Sequence, residues 1–191
     1  MSQPLLKNEK YYTYEDFLSW DTEERIEIID GVTFAFAAPL IKHQRVSMKL
    51  IKHLESFLDG KKCELFHAPT NVKIKVESMK DNVVQPDLFI VCDKTKFTDH
   101  AYNGVPELII EILSPSTASY DCIKKMQLYL KAEVPEYWIV DPETHRIYVF
   151  NIENDKYVDI VYEKNNILES NIFSGCTIKL SDIFEEDYME A

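Results

Sequence analysis

The chain has 191 residues, with 33 Asp and Glu against 21 Lys and Arg, a net charge of −12 and a pI near 4.9. Apolar residues make up 46% and aromatics 12%, enough to bury one core, so disorder is excluded on composition. No run reaches the ~20 apolar residues of a membrane span, and the polar Met1–Lys10 lacks the apolar stretch of a secretory signal.

These features predict a single domain over residues 1–191, with a short polar start (1–10) and an acidic tail (184–191). The four cysteines, Cys63, Cys92, Cys122 and Cys176, are scattered without zinc-site or C-x-x-C spacing. They are expected to be reduced core thiols of a cytoplasmic protein.

In chain order, Thr13 before Tyr14-Glu15-Asp16 predicts an N-capped short helix reaching about Trp20. Arg25–Ile29 and Val32–Ala37 flank Asp30-Gly31, a hairpin signal because Gly accepts the positive φ of a type I′ turn. From His43 to Leu58 apolar residues recur at Val46, Leu50, Ile51, Leu54, Phe57 and Leu58, the spacing of a helix with one buried face. Strands are predicted at Glu64–His67, Asn71–Val76, Val83–Cys92 and Glu107–Leu113. A second long helix follows from Ser119 to Ala132, then strands at Glu136–Asp141, Arg146–Ile152, Tyr157–Tyr162 and Thr177–Leu180. The sum is an α+β fold, a mixed sheet with helices packed on it.

Charge is unevenly distributed. Residues 41–80 carry nine basic and four acidic groups, whereas residues 1–40, 81–180 and 181–191 are each net acidic. Lys42, Arg45, Lys49 and Lys52 follow helical spacing, and Lys73 and Lys75 share one strand face. They form either a solvated face or a track for phosphates.

Two carboxylates stand where apolar residues are expected. Asp87 interrupts Val83-Val84-Gln85-Pro86-Asp87-Leu88-Phe89-Ile90-Val91, and Glu111 interrupts Leu108-Ile109-Ile110-Glu111-Ile112-Leu113. A carboxylate in a central strand costs several kcal/mol unless it is paired or binds a cation. Two of them close in sequence suggest a site for a hard metal ion that takes oxygen ligands. On the second helix Cys122, Ile123, Met126, Tyr129 and Leu130 form an apolar arc. Lys125 lies at its border beside Tyr129, Lys124 points away, and Asp121 can pair with Lys125 from four residues before it.

Gln85-Pro86-Asp87, Glu111-Ile112-Leu113-Ser114-Pro115-Ser116-Thr117, Asp121, Lys125, Tyr129 and Glu136-Tyr137-Trp138-Ile139-Val140-Asp141-Pro142 together resemble the Uma family of restriction endonucleases, within the PD-(D/E)XK nuclease superfamily. Arg25-Ile26-Glu27-Ile28-Ile29-Asp30-Gly31 is similar to the family's opening segment, and His43 to its histidine before the first long helix. The likeness runs from about Tyr12 to Ile183. It departs from the superfamily signature at Leu113, where a lysine is expected; in the family that lysine has moved to the following helix, where Lys125 matches it.

The resemblance implies a restriction-endonuclease-like mixed β-sheet core flanked by helices, with an N-terminal β-hairpin. It implies metal-dependent hydrolysis of DNA phosphodiesters by a cytoplasmic homodimer. Asp87, Glu111 and the main-chain carbonyl of Ile112 are the expected ligands of Mg²⁺, which Mn²⁺ could replace. Lys125 is expected to act on the attacking water or the phosphate, and Glu27 to assist the metal or Lys125. His43, Arg45 and Lys49 are the expected nucleic-acid contacts, although His43 faces inward and also reads as a core histidine. A catalytically inactive nuclease fold that binds DNA or a protein, and an enzyme acting on RNA or branched junctions, are the alternatives.

Overall fold

The computed structural model describes residues 10–22, 24–35, 38–114, 120–153 and 156–184. Helix α1 (Tyr14–Leu18) starts at Thr13, whose side chain accepts the Asp16 N–H while the Asp16 carboxylate accepts the Thr13 N–H. This reciprocal capping box satisfies two amides that a helix start leaves unpaired. Strands β1 (Ile26–Ile29) and β2 (Val32–Ala35) form the expected hairpin. Asp30 and Gly31 both take positive φ, as a type I′ turn requires.

Helix α2 (Ile41–Leu58) buries His43, Val46, Ser47, Leu50, Leu54 and Leu58, one face at helical spacing. Strands β3 (Glu64–His67), β4 (Val72–Lys73), β5 (Val83–Val84) and β6 (Leu88–Val91) follow. Beyond a short 3₁₀ turn come β7 (Tyr102–Asn103), β8 (Leu108–Ile112), α3 (Tyr120–Lys131), β9 (Glu136–Asp141), β10 (Arg146–Glu153) and β11 (Lys156–Glu163). Strands β12 (Ile167–Glu169) and β13 (Thr177–Lys179) and helix α4 (Leu180–Ile183) close the described chain.

The strands form a six-stranded sheet, β11-β10-β9-β8-β6-β3, a five-stranded sheet, β2-β1-β5-β4-β7, and the pair β12-β13. Central β8 runs antiparallel to β6 and parallel to β9. Parallel neighbours need a crossover, which α3 supplies. Alternate residues of β6, β8 and β9 face opposite ways. Leu88, Ile90, Leu108, Ile110, Trp138 and Val140 pack with α2 and α4, whereas Phe89, Val91, Ile109, Tyr137 and Ile139 pack with Leu128 and Tyr129 of α3. Period-two alternation therefore puts Glu111 on the α3 side with Ile109.

The structure departs from the sequence reading at four points. The single strand expected over Val83–Cys92 is two strands in different sheets, broken at Gln85-Pro86-Asp87. Proline has no N–H to continue a ladder, and the chain changes sheet there. The strand expected over Asn71–Val76 pairs only at Val72–Lys73.

The buried face of α3 comprises Lys125, Leu128 and Tyr129, while Ile123 is 55% exposed and Met126 and Leu130 are half-buried. The face is turned by about one residue position, ~100°, from the expected apolar arc. The reason is polar, because Lys125 is drawn inward by buried carboxylates.

Cys63 and Cys92, expected as reduced thiols, form a disulfide. The antiparallel register Glu64↔Val91 continues outward to place them opposite one another, which a separation of 29 residues in sequence does not reveal. Cys176 is free and buried. The side chains of Asp121 and Cys122, and the acidic residues 185–191, lie outside the described residues.

Candidate active site at the junction of the two sheets

Each sheet contributes acid to one buried cluster. Glu27 comes from β1, Asp87 from the break between β5 and β6, Glu111 from β8, and Lys125 and Tyr129 from α3. The Lys125 ammonium lies 2.8 Å from Glu27 Oε1 and 3.0 Å from Glu111 Oε1. It also donates to Glu111 Oε2 at 3.2 Å, and the Tyr129 hydroxyl donates to Glu111 Oε1 at 2.7 Å. Glu27 Oε1 accepts the Gln85 backbone N–H at 2.8 Å, while its Oε2 is buried without a hydrogen-bond partner.

Asp87 owes its orientation to the strand break. The β6–β8 ladder ends at Leu88↔Ile110, and the Asp87 side chain takes over, Oδ2 accepting the Ile112 N–H at 2.8 Å. The same oxygen lies 3.0 Å from Nε2 of His43, in the first turn of α2. His43 is therefore buried against Asp87, 7% exposed and engaged inside the fold, as its inward-facing position on the helix implies. Side-chain exposure rises from 2% at Glu27 through 11% at Glu111 to 17% at Asp87. Solvent thus reaches the cluster from the Asp87 side.

Electrostatics separate the two strand acids. Burial raises the Asp87 pKa, but the His43 contact and the Ile112 N–H outweigh it and hold the carboxyl below its ordinary value. Burial pushes Glu111 up to about 7; Lys125 and Tyr129 oppose this, while the charges of Asp87 and Glu27 add to it. Burial lowers the Lys125 pKa, yet Glu111 and Glu27 more than compensate, so the ammonium is held above its usual range. Two carboxylates thus share one ammonium, and the third, Asp87, is held by His43 and the Ile112 N–H.

The oxygens of Asp87 and Glu111 and the Ile112 carbonyl are hard donors, a set that would suit a hard cation better than a soft one. Among the described residues no three His, Cys, Asp or Glu side chains already converge on a metal-sized point. Two carboxylates, a carbonyl and water are the kind of set Mg²⁺ takes, since it dehydrates reluctantly.

Glu136 is a useful contrast. It too is a buried acid beginning an apolar strand, but Trp138 Nε1 donates to its Oε1 at 2.7 Å, and the N–H groups of Asn171 and Ile172 donate to its Oε2. Both oxygens are satisfied, so its work is to tie β9 to the loop before β13.

Gln85, Tyr129 and the His43–Asp87 contact complete the cluster. Gln85 adjoins Asp87 in the chain but is not among the expected site residues, and no sequence signal joins His43 to Asp87 across 44 residues. Of the expected basic contacts, Arg45 is exposed and Lys49 half-buried. Lys42 pairs with Glu143 at 3.3 Å, and the Lys73 ammonium lies 4.0 Å from the Tyr14 ring centre. Lys49, Lys52, His53 and Ser56 line one wall of a groove of about 650 Å³, facing Gly175, Thr177 and Asp182.

A mixed sheet flanked by helices, with acids from two strands meeting a helix lysine, is a nuclease-type fold. The match to known proteins agrees. The Uma2 family model, described as "Putative restriction endonuclease", matches residues 14–181, and the chain belongs to that family. It is 27% identical over 159 residues to uncharacterized protein slr1290 of Synechocystis sp., covering 81% of this chain and 82% of the relative. It is 26% identical over 143 residues to uncharacterized protein sll1609 of the same organism, covering 72% and 79%. Among solved structures, a putative nuclease belonging to DUF820 from Anabaena variabilis shares the fold, with a TM-score of 0.73 at 19% identity over 90% of this chain and 97% of that one. No helix among the described residues is long and apolar enough to cross a membrane.

Proposed function

We propose that the protein is a metal-dependent DNA endonuclease. The observation that carries this reading is the gathering of three carboxylates at one place: Glu27 and Glu111 share the Lys125 ammonium, Asp87 lies against His43, and Glu27 Oε2 has no hydrogen-bond partner. Carboxylates gathered this closely repel one another, and a bound cation would relieve that repulsion.

Asp87, Glu111 and the Ile112 carbonyl would hold Mg²⁺, or Mn²⁺ in its place. When bound, the cation supplies charge neutralisation at the phosphate and acidifies a coordinated water. Tyr129 and Lys125 fix the Glu111 carboxylate, and the Ile112 N–H fixes Asp87 Oδ2. Lys125 would orient the attacking water or stabilise charge on the phosphate. Glu27 keeps that ammonium charged and in place.

Arg45 and Lys49 would meet the DNA backbone along α2, whose Lys49 side opens on the groove with Lys52 and His53. Cutting both strands calls for two such sites, hence a homodimer, and DNA as substrate puts the work in the cytoplasm. In a reducing compartment Cys63 and Cys92 would stand opposite one another as thiols.

A second reading, an inactive nuclease fold that binds DNA or a protein, draws on the same ammonium, because Lys125 is spent on two carboxylates. Plasmid nicking in Mg²⁺, Mn²⁺ and EDTA, beside an Asp87→Ala control, separates the two. The nuclease reading expects metal-dependent cleavage that the control loses. Metal binding without cleavage would move the protein to the second reading.

A further inference from the structure

His43 has a purpose that packing alone does not explain. Its ring is 7% exposed at the start of α2, with Nε2 3.0 Å from Asp87 Oδ2 and Nδ1 buried without a partner. Asp87 stands just before β6, past the end of the β6–β8 ladder that carries Glu111; its main chain is held by the Ala68 N–H, and its carboxylate is directed by side-chain contacts. Both contacts, from His43 and from the Ile112 N–H, fall on Oδ2.

We propose that His43 is a positioning residue. It donates from Nε2 to Asp87 Oδ2 and so turns Oδ1 toward a divalent cation, without becoming a ligand itself. This rests on the reading of Asp87 as a metal ligand. An Nε2–H that donates cannot also coordinate, so the cation keeps oxygen ligands. Glu111 is likewise anchored by side chains, Lys125 and Tyr129 converging on its Oε1 while Lys125 also reaches Oε2. Partners that orient a metal ligand commonly change affinity by about 10–100-fold when removed.

The test compares His43→Ala and His43→Gln, whose amide nitrogen can take the place of Nε2. Two readouts are used: Mn²⁺ affinity by titration calorimetry, and the Ile112 backbone amide signal by NMR in EDTA. His43→Ala is expected to weaken Mn²⁺ binding about tenfold or more and to shift the Ile112 amide, whose acceptor is freed. His43→Gln should keep Mn²⁺ affinity within about threefold of the parent and leave the signal in place. Should the alanine variant fail to fold, His43→Asn, too short to reach Oδ2, replaces it. Unchanged affinity and an unmoved Ile112 signal in the short variants would overturn the proposal. So would a glutamine variant as impaired as alanine, which would make the imidazole a ligand or a packing element. A parent protein that binds no Mn²⁺ would instead sink the metal reading, and the Ile112 signal would still decide whether His43 orients Asp87.

Discussion

Burial drives Glu111 toward its neutral form, and the charges of Asp87 and Glu27 push in the same direction against Lys125. Its folded pKa, about 7, stands above the ordinary value of 4.5, so the folded state binds the proton more tightly than the unfolded chain. Stability in EDTA should therefore fall as pH rises from about 4.5 to about 7 and then level off. Glu111→Gln, which cannot ionise, should flatten that fall and melt higher than the parent at pH 8. Thermal melts from pH 5 to 8 check this, and parallel curves for the two proteins would contradict it. Asp87 has the opposite sign: its depressed pKa contributes stability above about pH 4 that is lost on further acidification. Asp87→Ala and Glu111→Ala should each abolish Mg²⁺ or Mn²⁺ binding in calorimetry, because each removes one of the two proposed side-chain ligands. Lys125→Ala should stop cleavage. It should also cost about 3–5 kcal/mol of stability, since it leaves two carboxylates buried without their cation; equilibrium urea unfolding at pH 8 reads that cost.

Among the elements, the break between β5 and β6 matters most to the site. Pro86 ends one strand, the chain changes sheet, and Asp87 emerges free to point its carboxylate at Ile112. Had the ladder run on unbroken, alternation would have tied Asp87 to the sheet as it ties Glu111. The far end of β6 is held differently, by the Cys63–Cys92 bridge to edge strand β3. Closing a loop of this size restricts the unfolded chain by about 3.6 kcal/mol. Cys63→Ser should lower unfolding free energy by about 2–4 kcal/mol in the absence of reductant and change nothing in its presence. Chemical denaturation under the two conditions, with thiol labelling to count free cysteines, measures this.

At the scale of the whole molecule, a net charge of −12 opposes DNA, yet residues 41–80 carry nine of the 21 basic groups. The fold gathers four of these on α2, with Lys49 and Lys52 at the groove wall. Reversing Arg45 and Lys49 to glutamate should weaken duplex binding and reduce the slope of log affinity against log salt by about 1 for each phosphate no longer neutralised. Fluorescence anisotropy over a salt series is the measurement, and an unchanged slope would return this face to ordinary solvation. The proposed homodimer is tested by sedimentation, with a monomer at micromolar concentration counting against it.

The sequence alone determined whatever depends on local physics. Thr13 and Asp16 specify their own capping box, Asp30-Gly31 its turn, and the spacing of Val46, Leu50, Leu54 and Leu58 the buried face of α2. Asp87 and Glu111 were legible as anomalies because a charge in an apolar run is costly wherever the chain goes. The face of α3 was misread because a purely apolar count cannot know that buried acids wait for Lys125. The tertiary structure alone decided which distant groups meet: His43 with Asp87 across 44 residues, Gln85 with Glu27 across 58, and Cys63 with Cys92 across 29. Helix and turn signals come from neighbours a few bonds apart, whereas these pairings follow from strand register and sheet order, set by the packing of the whole chain.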